Sequence, residues 1–248
     1  MIGMTTVTFR NKSVDEIIEI CKMAGVDAIE WGGDVHVPAG DVALAEEVYK
    51  KTIDAGLEVS SYGSYYWVGT NTEEDFDKVL ASAKALHAKF IRIWAGKLSS
   101  AKVDDETFNK YVEEIKGMAK KAGEEGIIIA SEFHNNTYND SYESCKKLLD
   151  AVDSPYYKTY WQTVTFDERD GEYLKMLKED IVNVHVFTWN DWGKRYPLKK
   201  KAKMWQEYID MYGKNGLYTI EFVKKDKDKY FLKDVASLKE YLAYLRIF

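Results

Sequence analysis

Glu132, Gln162, His185 and Glu221 are side chains able to coordinate a hard or borderline cation, and each lies at or near the end of a short β-forming run. Glu132 closes Ile127-Ile-Ile-Ala-Ser-Glu132, and Glu221 closes Tyr218-Thr-Ile-Glu221. Burying a carboxylate at the end of such a run costs free energy unless a metal ion or hydrogen bonds compensate it. Taken singly, each glutamate could cap its strand and meet a lysine or water. His185, inside Val184-His-Val186, reads as a core histidine as readily as a ligand. Their recurrence on successive strands is the stronger signal, because strand ends can aim all four at one centre.

Such convergence requires parallel strands, and the chain has the pattern that builds them: a short β-rich run, a turn, an amphipathic helical stretch, then the next run. The runs are Thr5 to Phe9, Ala28 to Trp31, Glu58 to Tyr62, Phe90 to Trp94, Ile127 to Glu132, Lys158 to Trp161, Val182 to Phe187 and Tyr218 to Phe222. They predict one (β/α)8 TIM barrel, an α/β fold of about 250 residues, occupying 1–248 as a single domain. Helix starts are signalled by Ser13-Val-Asp-Glu16 and Thr72-Glu-Glu-Asp75. Glycine stops fall at Ala24-Gly25, Ala55-Gly56, Ala122-Gly123 and Asn215-Gly216. Polar and aromatic residues crowd the strand-to-helix joints: Trp31-Gly-Gly-Asp-Val-His-Val-Pro38, Tyr62-Gly-Ser-Tyr-Tyr-Trp67, Glu132-Phe-His-Asn-Asn-Thr137 and Thr188-Trp-Asn-Asp-Trp192. In a barrel these joints open on one face, where ligands bind. An open doubly wound sheet is the competing architecture, but no Gly-rich dinucleotide fingerprint follows the first strand.

Glu132, His185 and Glu221, together with Ile29-Glu-Trp-Gly-Gly-Asp-Val-His36, Tyr62-Gly-Ser-Tyr65 and Tyr160-Trp-Gln162, resemble the sugar phosphate isomerase/epimerase group of xylose-isomerase-like TIM barrels across essentially the whole chain. The resemblance implies a divalent metal, commonly manganese, with Mg2+, Co2+ or Zn2+ as alternatives. Its ligands would be Glu132, His185, Glu221 and the sixth-strand position. That position departs from the family's aspartate, being Gln162, and Thr165 stands where a substrate-contacting histidine often follows. An amide oxygen still ligates Mn2+ or Mg2+ but removes a negative charge, so weaker metal retention is expected. The chemistry suited to this set is abstraction of a proton beside a carbonyl, with a cation stabilising the enediolate and a carboxylate taking the proton. Glu132 and Glu221 are then the acid/base pair of a sugar or sugar-phosphate isomerase or epimerase. A lyase that expels water after enolisation and a non-catalytic sugar-binding barrel remain open alternatives.

His36, Tyr65, Arg92, Trp94, His134 and Trp189 are candidate substrate contacts. Each has a structural counterpart: loop capping for the histidines, an internal ion pair for Arg92, core packing for the aromatics. The same ambiguity covers Asp34, Asn135, Asn136, Trp31 and Trp161, and Lys194 with Arg195 could meet a phosphate or simply be solvated. A net charge of −6 and four histidines argue against nucleic acid and against a DNA-repair endonuclease, which needs more ligands and a cationic groove. Cys21 and Cys145 lie in helical patterns and read as buried thiols. Neither a signal segment nor a membrane span is evident, so a cytoplasmic protein acting on a small molecule is expected, with room for homo-oligomers.

Overall fold

Runs rich in β-branched and aromatic residues form eight strands: β1 (Ile2–Thr5), β2 (Ala28–Gly32), β3 (Glu58–Trp67), β4 (Phe90–Trp94), β5 (Ile128–Glu132), β6 (Tyr157–Trp161), β7 (Ile181–Val186) and β8 (Tyr218–Ile220). In the computed structural model, which describes residues 1–165, 167–190 and 193–243, each strand pairs in parallel with the next in chain order. Closure comes from β1 lying against β8, with Ile2 opposite Tyr218 and Met4 opposite Ile220. That pairing makes the architecture a TIM barrel and excludes the open sheet, which would leave both edges unpaired.

The helices α1 (Val14–Ala24), α2 (Val42–Asp54), α3 (Glu73–Ala85), α4 (Asp105–Glu124), α5 (Tyr142–Val152), α6 (Glu168–Met176), α7 (Ala202–Tyr212) and α8 (Asp228–Ala243) form the outer layer. Both expected capping boxes are present, at Ser13 with Glu16 and at Thr72 with Asp75. Two of the four expected glycine stops move. α4 runs through Gly123, and Gly126 takes the left-handed turn (φ 71°); a Cβ on Gly123 would sit 2.4 Å from the Tyr156 ring, so packing sets that glycine. α7 likewise closes at Gly213 (φ 109°) rather than at Gly216.

The first strand also differs from the expected Thr5 to Phe9, since Thr6–Phe9 forms a 3-10 turn. Its threonines serve neighbouring strands through their hydroxyls instead of a ladder. Thr6 Oγ1 accepts from the Gly32 amide at 2.9 Å, and Thr8 Oγ1 accepts from the Phe222 amide at 3.0 Å. Cys21 and Cys145 are free and buried, and burial pushes the Cys145 thiol up to about 12.

On the flank of α8, Asp234 accepts the Leu198 amide hydrogen at 2.8 Å. Burial raises its carboxyl to about 7, against the lowering effect of that bond. The folded chain thus holds this proton more tightly than the unfolded chain, whose aspartate titrates near ~3.9. Stability from this group is therefore lost as pH rises from about 4 to about 7, by up to about 4 kcal/mol. Asp234→Asn is expected to flatten the urea-midpoint profile across this range and to raise the midpoint at pH 8. An unchanged profile would show that Asp234 titrates normally.

Candidate active site

Strand alternation sends successive side chains to opposite sides of the barrel wall. Trp31 faces outward, its Nε1 donating to Thr52 of α2 at 3.2 Å, and Trp161 packs edge-on against Tyr208 of α7 at 5.2 Å. Their neighbours accordingly turn inward: Glu30 meets Arg92, and Tyr160 lies edge-on to His185 at 5.3 Å. The tryptophans flanking Glu30 and Tyr160 are thereby core residues and do not reach the mouth.

At the carboxyl ends, four predicted donors meet. His185 Nδ1 lies 3.3 Å from Gln162 Oε1, 3.4 Å from Glu132 Oε1 and 3.5 Å from Glu221 Oε2. Glu132, His185 and Glu221 each offer a ligand atom within 4.8 Å of the others, and all three are buried. One ring nitrogen carries at most one hydrogen and can satisfy one of these three oxygens. Two buried carboxylates and an imidazole converging this closely, with an amide oxygen beside them, are donor types that suit a divalent cation, so these residues fit a metal. Burial disfavours the charged His185 ring, but Glu221 and Glu132 outweigh it and raise the pKa above the ordinary histidine value. Burial, reinforced by Glu132 and opposed by His185, raises the Glu221 carboxyl.

Beneath this centre is a buried charge network. Arg92, 3% exposed, donates from Nε to Glu30 Oε1 at 3.2 Å and from Nη1 to Glu132 Oε2 at 2.5 Å. Trp94 Nε1 donates to the same Glu132 oxygen at 2.5 Å, and Ser61 Oγ donates to Glu30 at 2.8 Å. Against the cost of burial, the guanidinium holds the Glu132 carboxyl well below the usual range, helped by His185. Gly63 admits the network: a Cβ there would meet Arg92 Nη2 at 2.8 Å.

A cavity of roughly 340 Å³ opens above these groups. Tyr65, Arg92, Trp94, Glu132, His134, Gln162, Trp189 and Glu221 all line it, as does Arg10. Tyr65 reaches it through a register shift of β3 against β4 between Gly63 and Tyr66, which places Tyr65 at φ 58°. Phe222, also on the wall, has φ 52°. Positive φ is costly for an aromatic residue and collects at sites where geometry is imposed by function.

His36 is not brought to this cavity. The turn over residues 33–36, closed by the Val37 amide donating to the Gly32 carbonyl at 3.0 Å, folds the loop back, so that His36 is buried with Nε2 on the Lys12 carbonyl at 2.9 Å; burial lowers its pKa despite that bond. Asp34 instead pairs with Arg10. Asn135 donates to the Val164 carbonyl at 3.2 Å, and Asn136 adopts a left-handed turn (φ 64°). Arg195 pairs with Asp226 and stacks on Phe222 at 4.2 Å, while Lys194 Nζ sits over the Tyr196 ring at 5.4 Å. Asp191 and Trp192, in the loop after β7, lie outside the described residues. Glu30 and Arg10 were not singled out from the sequence. Glu30 carries the same signal as Glu132, a carboxylate inside an apolar run; Arg10 follows the turn after β1, a joint that opens on the mouth like the others.

An eight-stranded α/β barrel whose strands deliver carboxylates and a histidine to one mouth defines the class of TIM barrels with a polar site at the carboxyl face. Residues 18–195 match the xylose isomerase-like TIM barrel family, and the chain belongs to that family. A 3-dehydroshikimate dehydratase of Bacillus anthracis is 24% identical over 164 residues, 62% of this chain, and the match spans 58% of that protein's length. Among solved structures, the probable 3-DHS dehydratase AsbF of Bacillus anthracis superposes with a TM-score of 0.80 at 18% identity, covering 96% of this chain and 98% of that one. A D-allulose 3-epimerase from Methylomonas sp. gives 0.74 at 16% identity, covering 97% of each chain. Among the described residues, no helix is long and apolar enough to cross a membrane.

Proposed function

We propose that this chain is a divalent-metal-dependent sugar or sugar-phosphate isomerase or epimerase that moves a proton through an enediolate, with Glu132 and Glu221 as its acid/base pair. The observation that carries the reading is the convergence of Glu132, Gln162 and Glu221 oxygens on His185 Nδ1 at 3.3–3.5 Å. Bound among these residues, a divalent cation, manganese foremost and otherwise Mg2+, Co2+ or Zn2+, supplies Lewis-acid stabilisation of charge developing on substrate oxygen. Arg92 and Trp94 fix one oxygen of Glu132 and so set the direction of the other. Glu221 stands on the cavity wall with His185 Nδ1 3.5 Å from its Oε2, and the pKa that burial raises suits a group that must both take and return a proton. Trp94 and Trp189 line the cavity and supply apolar ring surface for the carbon atoms of a sugar to pack against.

A second reading, a dehydratase of the same site, is favoured by His134. Its Nδ1 donates to the Asn135 carbonyl at 2.6 Å, which anchors the ring on the cavity wall and leaves Nε2 as the nitrogen able to act on substrate. A base two residues along the chain from Glu132 suits removal of a proton followed by loss of water, the reaction named for the dehydratase relative.

Incubation of metal-loaded protein with polyhydroxylated aldehydes and ketones in D2O tests both. Deuterium uptake with a product of unchanged composition supports the isomerase or epimerase, and a product lighter by one water supports the dehydratase. Ligand binding without deuterium uptake, in protein shown by elemental analysis to hold its metal, leaves a sugar-binding barrel. His185→Ala is expected to weaken metal affinity by about 100-fold or more, measured by competition with a fluorescent chelator.

A further inference from the structure

Arg10 is a second cation on the cavity wall, and the proposed chemistry gives it no task. Resting on that chemistry for the identity of the cavity, we infer that the substrate carries an oxyanion, a carboxylate or a phosphate ester, and that Arg10 receives it.

Arg92, the other arginine on the wall, is committed: its Nε and Nη1 are bonded to Glu30 and Glu132, and it is 3% exposed. Arg10 has the opposite character. Its side chain is 47% exposed, Nε is held by Asp34, and Nη2 donates to Tyr65 Oη at 2.8 Å. Nη1 makes no hydrogen bond to a described residue. Two of the three guanidinium nitrogens are therefore used to aim the group, which lowers the entropic cost of presenting the rest to a ligand. Tyr65, lying between the two arginines with their guanidinium carbons 6.0 and 5.5 Å from its ring centre, is held at positive φ in that position.

Charge in the surroundings favours the same ligand. The Arg10–Asp34 and Arg92–Glu30 pairs each balance, and Glu132 with Glu221 would balance a divalent cation, so the cavity has no surplus negative charge to repel an anion. Beyond the rim, the turns Leu198–Lys201 and Lys224–Asp226 both pack on α8. With the start of α8 they expose Lys199, Lys200, Lys201, Lys225, Lys227 and Lys229, while the interleaved Asp226 and Asp228 are paired with Arg195 and Lys12, on a chain whose overall net charge is −6. A basic flank on an acidic protein raises the encounter rate of anions at that face. Lys194 and Arg195, the phosphate candidates from the sequence, are engaged with Tyr196 and with Asp226 and Phe222, and neither lines the cavity.

Calorimetry on the metal-loaded full chain with D-gluconate, D-glucitol 6-phosphate and D-glucitol tests the inference. At least one anionic polyol should bind about tenfold or more tightly than D-glucitol, the gain expected of a charge-assisted hydrogen bond. Arg10→Gln should erase that preference, and Arg10→Lys should keep part of it, because lysine retains the charge without the fork. Stronger binding of gluconate identifies a carboxylate, and stronger binding of the phosphate identifies a phosphate ester. D-glucitol binding as tightly as both anions, or a preference that survives Arg10→Gln, overturns the inference; the second result would place the anion elsewhere, for example on the metal. Deuterium uptake is scored separately. Uptake combined with an Arg10-independent preference removes the anion site and leaves the chemistry standing, and an Arg10-dependent preference without uptake does the reverse.

Discussion

Glu221→Gln and, separately, Glu132→Gln should each lower conversion of any active substrate by about 10²–10⁴-fold, the usual contribution of a positioned acid or base. Both carboxylates are nearly isosteric with the amide and lie at the same cavity, so a loss of rate with retained circular dichroism isolates the chemistry. The two variants should differ in stability. Among the described residues Glu221 takes no direct bond from a cationic side chain other than His185, whereas Glu132 Oε2 accepts from both Arg92 and Trp94. Neutralising Glu132 strips charge from those bonds and should lower the melting temperature further than the change at Glu221. Measuring rates at saturating metal separates lost proton transfer from lost metal affinity. Undiminished conversion of every active substrate by both variants would remove them from the acid/base role.

Arg92→Met should destabilise the fold by about 3–5 kcal/mol, the cost of leaving buried charge unpaired. The guanidinium stands between Glu30 and Glu132, which are 0% and 2% exposed, and its removal leaves Glu30 with the neutral Ser61 donor and Glu132 with Trp94 and His185. Lysine is not expected to rescue the fold, since one ammonium cannot reproduce the Nε and Nη1 contacts to carboxylates on two different strands. Adding Glu30→Gln to Arg92→Met should restore part of the loss by removing one orphaned charge. Urea denaturation of the single and double variants forms the cycle. A loss below about 1 kcal/mol for Arg92→Met would place these charges among solvent-screened surface pairs, contrary to their burial.

Some of this molecule was legible in its residues because the signal was local. The run Phe90–Trp94 is a strand from end to end as expected, and the capping boxes at Ser13 and Thr72 form as read, since each depends on neighbours within a few positions. The carboxylates of Glu132 and Glu221 stood out because an apolar run that ends in a charge announces its own burial cost. Glu30 carried that signal too, but its partner Arg92 is 62 residues away, and an ion pair across two strands has no local trace.

What tertiary structure decided is direction. The turn after β2, closed by the Val37 amide on the Gly32 carbonyl, carries His36 onto the Lys12 carbonyl, while Asp34 reaches Arg10. A shift of register in β3 puts Tyr65 on the cavity wall, and strand parity sends Trp31 and Trp161 to the helices. Periodicity along the chain specifies that a residue belongs to a strand or a joint. Whether its side chain meets the reacting centre depends on the register and curvature of segments far apart in sequence, which are settled only when the barrel closes.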